Sequence, residues 1–228
     1  MDGCKKGWAA IGEDLDRGEI TWKVYKKLED LFQSDPLPTV IAIDIPIGLE
    51  DDKARACDLE ARKLLGRPRS SSVFTAPLRL MLGCTDYWEA CRVRQGIEGK
   101  SMSKQAYNIM SKIKEIDTLL RSETDLQNIV HEVHPEVCFY ALAGNRPMRE
   151  NKKRPEGHQE RARLLPERYA DLLERAEREC AGQGAASDDV LDAFAALWSA
   201  GRIYRGEAIS LPASPPFDSF GLRMEIVY

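Results

Sequence analysis

The sequence predicts an α/β fold, and three observations carry the prediction. Residues 39–44 (TVIAID) form a continuous apolar run, the pattern of a strand buried on both faces, as in a parallel or mixed sheet. Glu19–Tyr25 alternates, with β-prone Ile20, Trp22 and Val24 at every second position. Ser187–Tyr204 is strongly apolar behind the start signal Ser187-Asp188-Asp189, as expected of a helix packed on several sides.

The remaining elements follow in order. Residues 7–11 are short and apolar, and turn-forming residues 14–18 join them to Glu19–Tyr25, which reads as a hairpin. Residues 26–33 read as a short helix closed off by Pro36 and Pro38. After Ile45-Pro46-Ile47-Gly48 ends the TVIAID strand, residues 51–65 read as a helix with acids at its start and Gly66 at its end. Residues 67–72 (RPRSSS) are a polar loop. Residues 101–121 read as a helix, with Ile109, Ile113, Ile116 and Leu120 at helical spacing. Residues 129–134 are strand-like and are interrupted by Pro135. Residues 150–155 form a basic loop, and residues 157–179 a charged helix broken at Pro166. Pro212, Pro215 and Pro216 mark a loop before a last strand at 222–228. No internal repeat or linker divides the 228 residues, so one domain over residues 1–228 is expected, with helical elaborations at 81–127 and 145–182.

Composition narrows the function. Lys plus Arg number 33 and Asp plus Glu 37, a formal net charge of -4. That balance argues against a non-specific, charge-driven nucleic-acid coat protein and leaves a nuclease open, because a carboxylate-rich site is negative until a cation loads it. The six cysteines (Cys4, Cys57, Cys84, Cys91, Cys138 and Cys180) include no C-x-x-C pair, which argues against a zinc site. Without a signal peptide or an apolar run of membrane-spanning length, the expected setting is a reducing cytoplasm with buried free thiols.

The carboxylates fall in three places. Asp44 ends the TVIAID strand, and ligands of open α/β sheets bind beyond the carboxyl ends of strands; a turn-forming role is the plainer alternative. Helix-end electrostatics accounts for Asp188 and Asp189 but not for Asp192, which lies past the first turn among Ala193, Phe194, Ala195 and Ala196. Asp189 and Asp192 are three apart and point the same way, and two oxygen donors on one face suit Mg²⁺ or Mn²⁺. Glu132, in His131-Glu132-Val133-His134-Pro135-Glu136, is a third candidate, against the alternative of a solvent-facing strand edge. The spacing is not that of the H-E-x-x-H zinc motif. Asp2, next to a chain terminus, carries little weight by itself.

Taken together, the motifs are familiar. Asp-Gly-Cys-Lys-x-Gly-Trp stands at 2–8 and Ile-Asp-Ile-Pro-Ile-Gly-Leu at 43–49. Arg55, Cys57-Asp58, Ala61-Arg62, Leu65-Gly66, Ser71-Ser72-Val73-Phe74 and Pro77 follow, then Ser103-x-Gln105 and Lys112-Ile113. Glu132-Val133-His134-Pro135-Glu136, Asp188-Asp189-Val190-Leu191-Asp192-Ala193 and Gly221-Leu222-Arg223-Met224-Glu225-Ile226 complete the set. In this order and spacing they resemble domain-of-unknown-function family 429, described as predicted RNase H-like nucleases, over essentially the whole chain. The resemblance implies an RNase H-like mixed five-stranded sheet flanked by helices. It implies acids on the first strand (Asp2), the fourth strand (Asp44) and the last core helix (Asp189 and Asp192), with Glu132 as a family-specific acid on the fifth strand. The family carries several strand residues before its Asp-Gly-Cys where only Met1 stands here, so either the first strand lacks its beginning or the start site of this chain is not the natural one; the first case would leave the sheet short or invite a partner strand.

The implied activity is that of a metal-dependent nuclease or phosphodiesterase, with one or two Mg²⁺ or Mn²⁺ ions held by Asp2, Asp44, Glu132, Asp189 and Asp192. Lys5, Arg62, Arg67, Arg69 and Lys112 are candidate phosphate contacts, although most such groups are plain solvated charges. His134 is a candidate proton shuttle, with a hydrogen bond to a loop as its plainer role. A nucleic acid is the expected partner, and a two-fold homodimer would suit a resolvase-like role. Two other classes compete. One is a non-catalytic binding or regulatory module. The other is an actin-like or sugar-kinase-type phosphotransferase, against which the chain has no G-x-x-x-x-G-K-[ST] loop.

Overall fold

A computed structural model describes residues 1–228. β1 (Asp2–Cys4), β2 (Gly7–Asp14) and β3 (Glu19–Tyr25) form an antiparallel sheet in that order, with Asp2 opposite Ala9 and Ala9 opposite Val24. The β1–β2 turn closes at Gly7, whose φ is 150°; a Cβ there would lie 1.9 Å from the Tyr25 carbonyl oxygen, so the close approach of β3 requires glycine. β4 (Ile41–Ile43) pairs in parallel with β5 (Val130–Glu132), with Ile43 opposite Glu132. β6 (Ser210–Leu211) and β7 (Ile226–Val227) form a third, antiparallel pair.

The expected five-stranded mixed sheet is therefore not formed; the strands are divided among sheets of three, two and two. β1 and β4 meet at a single parallel bridge, Asp2 to Asp44. The Met1 ammonium donates to the Ala42 carbonyl (2.8 Å) and the Asp44 N–H to the Met1 carbonyl (2.9 Å). Register is the reason. β1 lies level with Asp44, beyond the end of β4, so the ladder between them is one residue pair long. Far from fraying, Met1 and Asp2 are buried.

Nine α-helices surround these strands: α1 (Glu29–Phe32), α2 (Ala56–Arg69), α3 (Tyr87–Glu98), α4 (Lys104–Asn108), α5 (Met110–Ser122), α6 (Pro135–Leu142), α7 (Pro155–Ala162), α8 (Glu167–Ala181) and α9 (Ser187–Tyr204). α2 starts later than its acids suggested. Arg55 is held extended ahead of it by donating to the carbonyls of Ile47 (3.0 Å) and Gly48 (3.3 Å). The helical backbone is interrupted at Gly66, where φ is 57°. The single helix expected at 101–121 is two, the first capped by Ser103, whose hydroxyl accepts the Ala106 N–H (3.1 Å). Pro135 does not merely interrupt a strand; it opens α6 from the first position, where its missing N–H costs nothing. The break at Pro166 separates α7 from α8. The last strand shrinks to Ile226–Val227.

Alternation on β2 divides the interior in two. Ala9 and Ile11 join one core with Phe139, Tyr169, Leu173 and Phe194, contributed by α6, α8 and α9. Trp8 and Ala10 join the other, with Ile43 of β4 and Ile113, Ile116 and Leu120 of α5. β4 is split in the same way, Ala42 facing the first core and Ile41 and Ile43 the second. At about 1.5–3 kcal/mol for each large apolar side chain buried, these two cores dominate the folding energy. α9 packs against β1, β2, β4, α6 and α8, so any polar group on its inner face is forced against the strand ends.

Candidate metal centre

Three elements bring one aspartate each to the same point. Asp2 lies on β1, Asp44 directly follows β4, and Asp192 lies in the second turn of α9. One carboxylate oxygen from each falls within 4.8 Å of the other two. Asp2 is 8% exposed and Asp192 1%. Asp192 has one side-chain partner, the Lys152 ammonium at 2.5 Å, while the Asp2 and Asp44 carboxylates accept no hydrogen bond from the chain. Lys152 comes from the loop between α6 and α7.

Burial drives the electrostatics here. It pushes the Asp2 carboxyl well above the usual carboxylate range, and the charges of Asp44 and Asp192 push it further while Lys152 opposes them. Asp44 is pushed up to about 7 by burial and by Asp192, against Lys152 and the N-terminal ammonium. Burial works to lower the Lys152 ammonium, yet Asp192, Asp2 and Asp44 outweigh it and hold the amine protonated well above its ordinary range. Clustered carboxylates that lack donors are costly in a protein interior, and a cation among them removes the cost. The donor set is all carboxylate oxygen, which suits hard Mg²⁺- or Mn²⁺-type cations and not thiophilic ones. Three converging carboxylates, two of which accept no hydrogen bond from the chain and keep oxygens open to solvent, fit a divalent ion.

The other expected site residues lie outside the three-aspartate group, although Asp189 stays close enough to act on Asp2 and Asp44 electrostatically. Asp189 shares a helix face with Asp192, but its carboxylate accepts the Ala186 N–H (2.8 Å) and caps α9. Burial raises its pKa. Ser187, expected as the cap, is the first helical residue instead, and its hydroxyl donates to Glu177 (2.5 Å). Glu132 stands apart from the three aspartates. Its two oxygens accept from Arg55 at 2.7 Å each, and one also accepts the Ile47 N–H at 2.6 Å. Burial pushes Glu132 up to about 7 against the pull of Arg55. Asp58 completes this internal ion cluster, accepting from Arg55 at 2.6 Å.

Among the basic candidates, Lys112 comes nearest. Its ammonium donates to the Gly7 carbonyl (2.6 Å), lies 4.4 Å from the centre of the Trp8 ring, and feels the charges of Asp2 and Asp189. Burial lowers its pKa. Arg62 donates to the Val73 carbonyl (2.5 Å) and Arg69 to the Glu150 carbonyl (3.2 Å), while Lys5 is exposed. His134 caps α6, its Nδ1 accepting the Glu136 N–H at 3.2 Å, and burial holds its pKa below the ordinary value.

The sequence does not single out Lys152, and it offers Arg55 only among the family motifs, without a role. Lys152 lies in the basic loop that was recognised, but its neighbours Lys153 and Arg154 are equally basic, and only the fold turns one of the three inward. All six cysteines are free, five buried and Cys84 partly so, and no helix is long and apolar enough to cross a membrane.

No curated protein and no solved structure matches the chain. A family model does match, over residues 1–216, and its description is "Protein of unknown function (DUF429)". The span covers both strands and the helix that carry the aspartates, and the chain belongs to that family.

Proposed function

We propose that the chain is a divalent-metal-dependent phosphodiester hydrolase acting on nucleic acid, with Asp2, Asp44 and Asp192 as the groups that hold the ion. The observation that carries this reading is their convergence within 4.8 Å while Asp2 is buried and accepts no hydrogen bond. A divalent ion such as Mg²⁺ or Mn²⁺, when bound, supplies Lewis acidity for the phosphoryl group. The chain's own residues do the rest. Asp2 and Asp44 are held in place by the β1–β4 bridge, and Asp192 by a helix locked into the core, so the site is built on rigid elements. Lys152 brings positive charge into the cluster, and Lys112, held on the Gly7 carbonyl and the Trp8 ring, acts on Asp2 from outside it. Six free thiols fit a reducing compartment and support a cytoplasmic setting.

Asp192→Asn tests the proposal. With Mn²⁺ or Mg²⁺, the wild type is expected to cleave bis(p-nitrophenyl) phosphate or a single-stranded, branched or hybrid nucleic acid. The variant should be slower by roughly a hundredfold or more, because it weakens the hold on the ion that would stabilise transition-state charge. Equal rates for the two would remove Asp192 from the chemistry.

The Lys152–Asp192 pair supports one other reading, a non-catalytic module in which an internal ammonium has replaced the metal for good. Failure of the wild type to bind Mn²⁺ at sub-millimolar concentration would favour it.

A further inference from the structure

Lys152 is an unusual neighbour for a metal site. Its side chain is 38% exposed, yet its ammonium lies against Asp192, whose side chain is 2% exposed, and it acts electrostatically on Asp2 and Asp44 as well. The loop that delivers it is not loose. The Glu150 carbonyl accepts from Arg69 (3.2 Å) and from Arg161 (3.1 Å). Asn151 accepts the Lys153 N–H on its side chain (3.0 Å) and the Arg154 N–H on its carbonyl (2.9 Å). Beneath the loop, fully buried Arg161 binds both oxygens of Glu136 at 2.8 and 2.9 Å, tying α7 to α6. Lys152 is thus presented from an anchored platform.

Charge and size both limit what else the cluster holds. Once all three are ionised around a cation, the aspartates carry three negative charges. Lys152 and one divalent ion match them, whereas Lys152 and two divalent ions overshoot by two. Oxygens around a single Mg²⁺-type ion, each about 2.1 Å from it, lie no more than about 4.2 Å apart. The present limit of 4.8 Å needs only a small contraction to meet that. A pair of ions about 3.5–4 Å apart needs more ligands than these; of the two further carboxylates expected from the sequence, Glu132 is held by Arg55, and Asp189 lies outside the 4.8 Å group with one oxygen on the Ala186 N–H.

We infer that the centre takes one divalent ion and that Lys152, against Asp192, supplies the second positive charge that a two-metal site would draw from another ion. This rests on the proposed metal-dependent function and deepens it. Lys152 is here a positioning residue, setting the number of ions bound and the charge that faces a phosphate.

The test is a Mn²⁺ titration that follows the six-line electron paramagnetic resonance signal of the free ion, on the wild type, Lys152→Arg and Lys152→Met. Wild type and Lys152→Arg are expected to bind one ion each, with the spectrum of an isolated Mn²⁺. Lys152→Met is expected either to take up a second ion or to bind the first at least tenfold more tightly. Lys152→Gln repeats the measurement should the methionine variant fold poorly. Two spin-coupled ions in the wild type would overturn the inference and leave the metal site standing, as would a methionine variant equal to wild type in number and affinity. No Mn²⁺ bound by any of them would overturn the metal reading, and this inference with it.

Discussion

Two buried acids of this chain show how the same residue type serves opposite ends. Glu132 is buried with its charge answered by a bidentate guanidinium and a backbone N–H. Asp2 is buried against other carboxylates with no donor of its own. Removing one charge from each should therefore act in opposite directions. Glu132→Gln leaves Arg55 poorly compensated in the interior and is expected to cost about 3 kcal/mol. Asp2→Asn relieves repulsion and is expected to stabilise the metal-free protein by about 1 kcal/mol at pH 8. Urea unfolding in the presence of a chelator measures both. Loss of stability in Asp2→Asn would mean that the cluster is a structural ion network after all. Both acids were visible as candidates in the sequence, but not their difference. Nothing near Glu132 in the chain announces Arg55, 77 residues away.

At the scale of the element, caps and breaks decide more than propensity does. α6 begins because His134 accepts the Glu136 N–H and Pro135 supplies the first-turn φ. Only the neutral ring has the lone pair to accept that hydrogen bond. Burial holds the His134 pKa below its unfolded value of 6.5, so its contribution to stability is present above that pH and is lost as pH falls through the lower folded value. His134→Asn keeps a good cap without the titration. Between pH 7 and pH 5 it is expected to lose less stability than the wild type in urea unfolding. Parallel losses would show that His134 does not govern the acid response. The proline at the start of α6 was legible, but as a break in a strand. A proline that ends one element and opens the next looks the same in either reading until its neighbours are placed. The kink at Gly66 and the break at Pro166 were legible because each residue imposes its geometry locally.

For the whole molecule, the candidate metal centre lies on the seam between two sheets that pack into the same two cores but share almost no ladder. The three-stranded sheet and the β4–β5 pair share one bridge, Asp2 to Asp44, and α9 packs across both. An ion held by all three aspartates would fasten these units together. Mn²⁺ at a hundred times its Kd is expected to stabilise the fold by about 2.7 kcal/mol. For a chain of this size that corresponds to a rise in Tm of roughly 5–10 °C. A chelator should reverse it, and Asp192→Asn should not show it. Calorimetry or dye-monitored melting reads the shift, and an unchanged Tm would separate the cluster from any role in holding the units together. The expected five-stranded sheet failed at this same seam, because strand lengths can be read from residue patterns but the register between two distant strands cannot.

The chain by itself determined its local grammar: the buried strand ahead of Asp44, the β2–β3 hairpin, the long apolar α9 and the anomaly of Asp192 within it. Each is written in neighbouring residues, through period, capping and the cost of burying a charge. Tertiary structure alone decided which acids meet, which are neutralised, and that Lys152 turns inward while Lys153 and Arg154 remain outside the cluster. Those outcomes depend on distances between residues remote in sequence, and a burial cost signals that a partner must exist without saying which one.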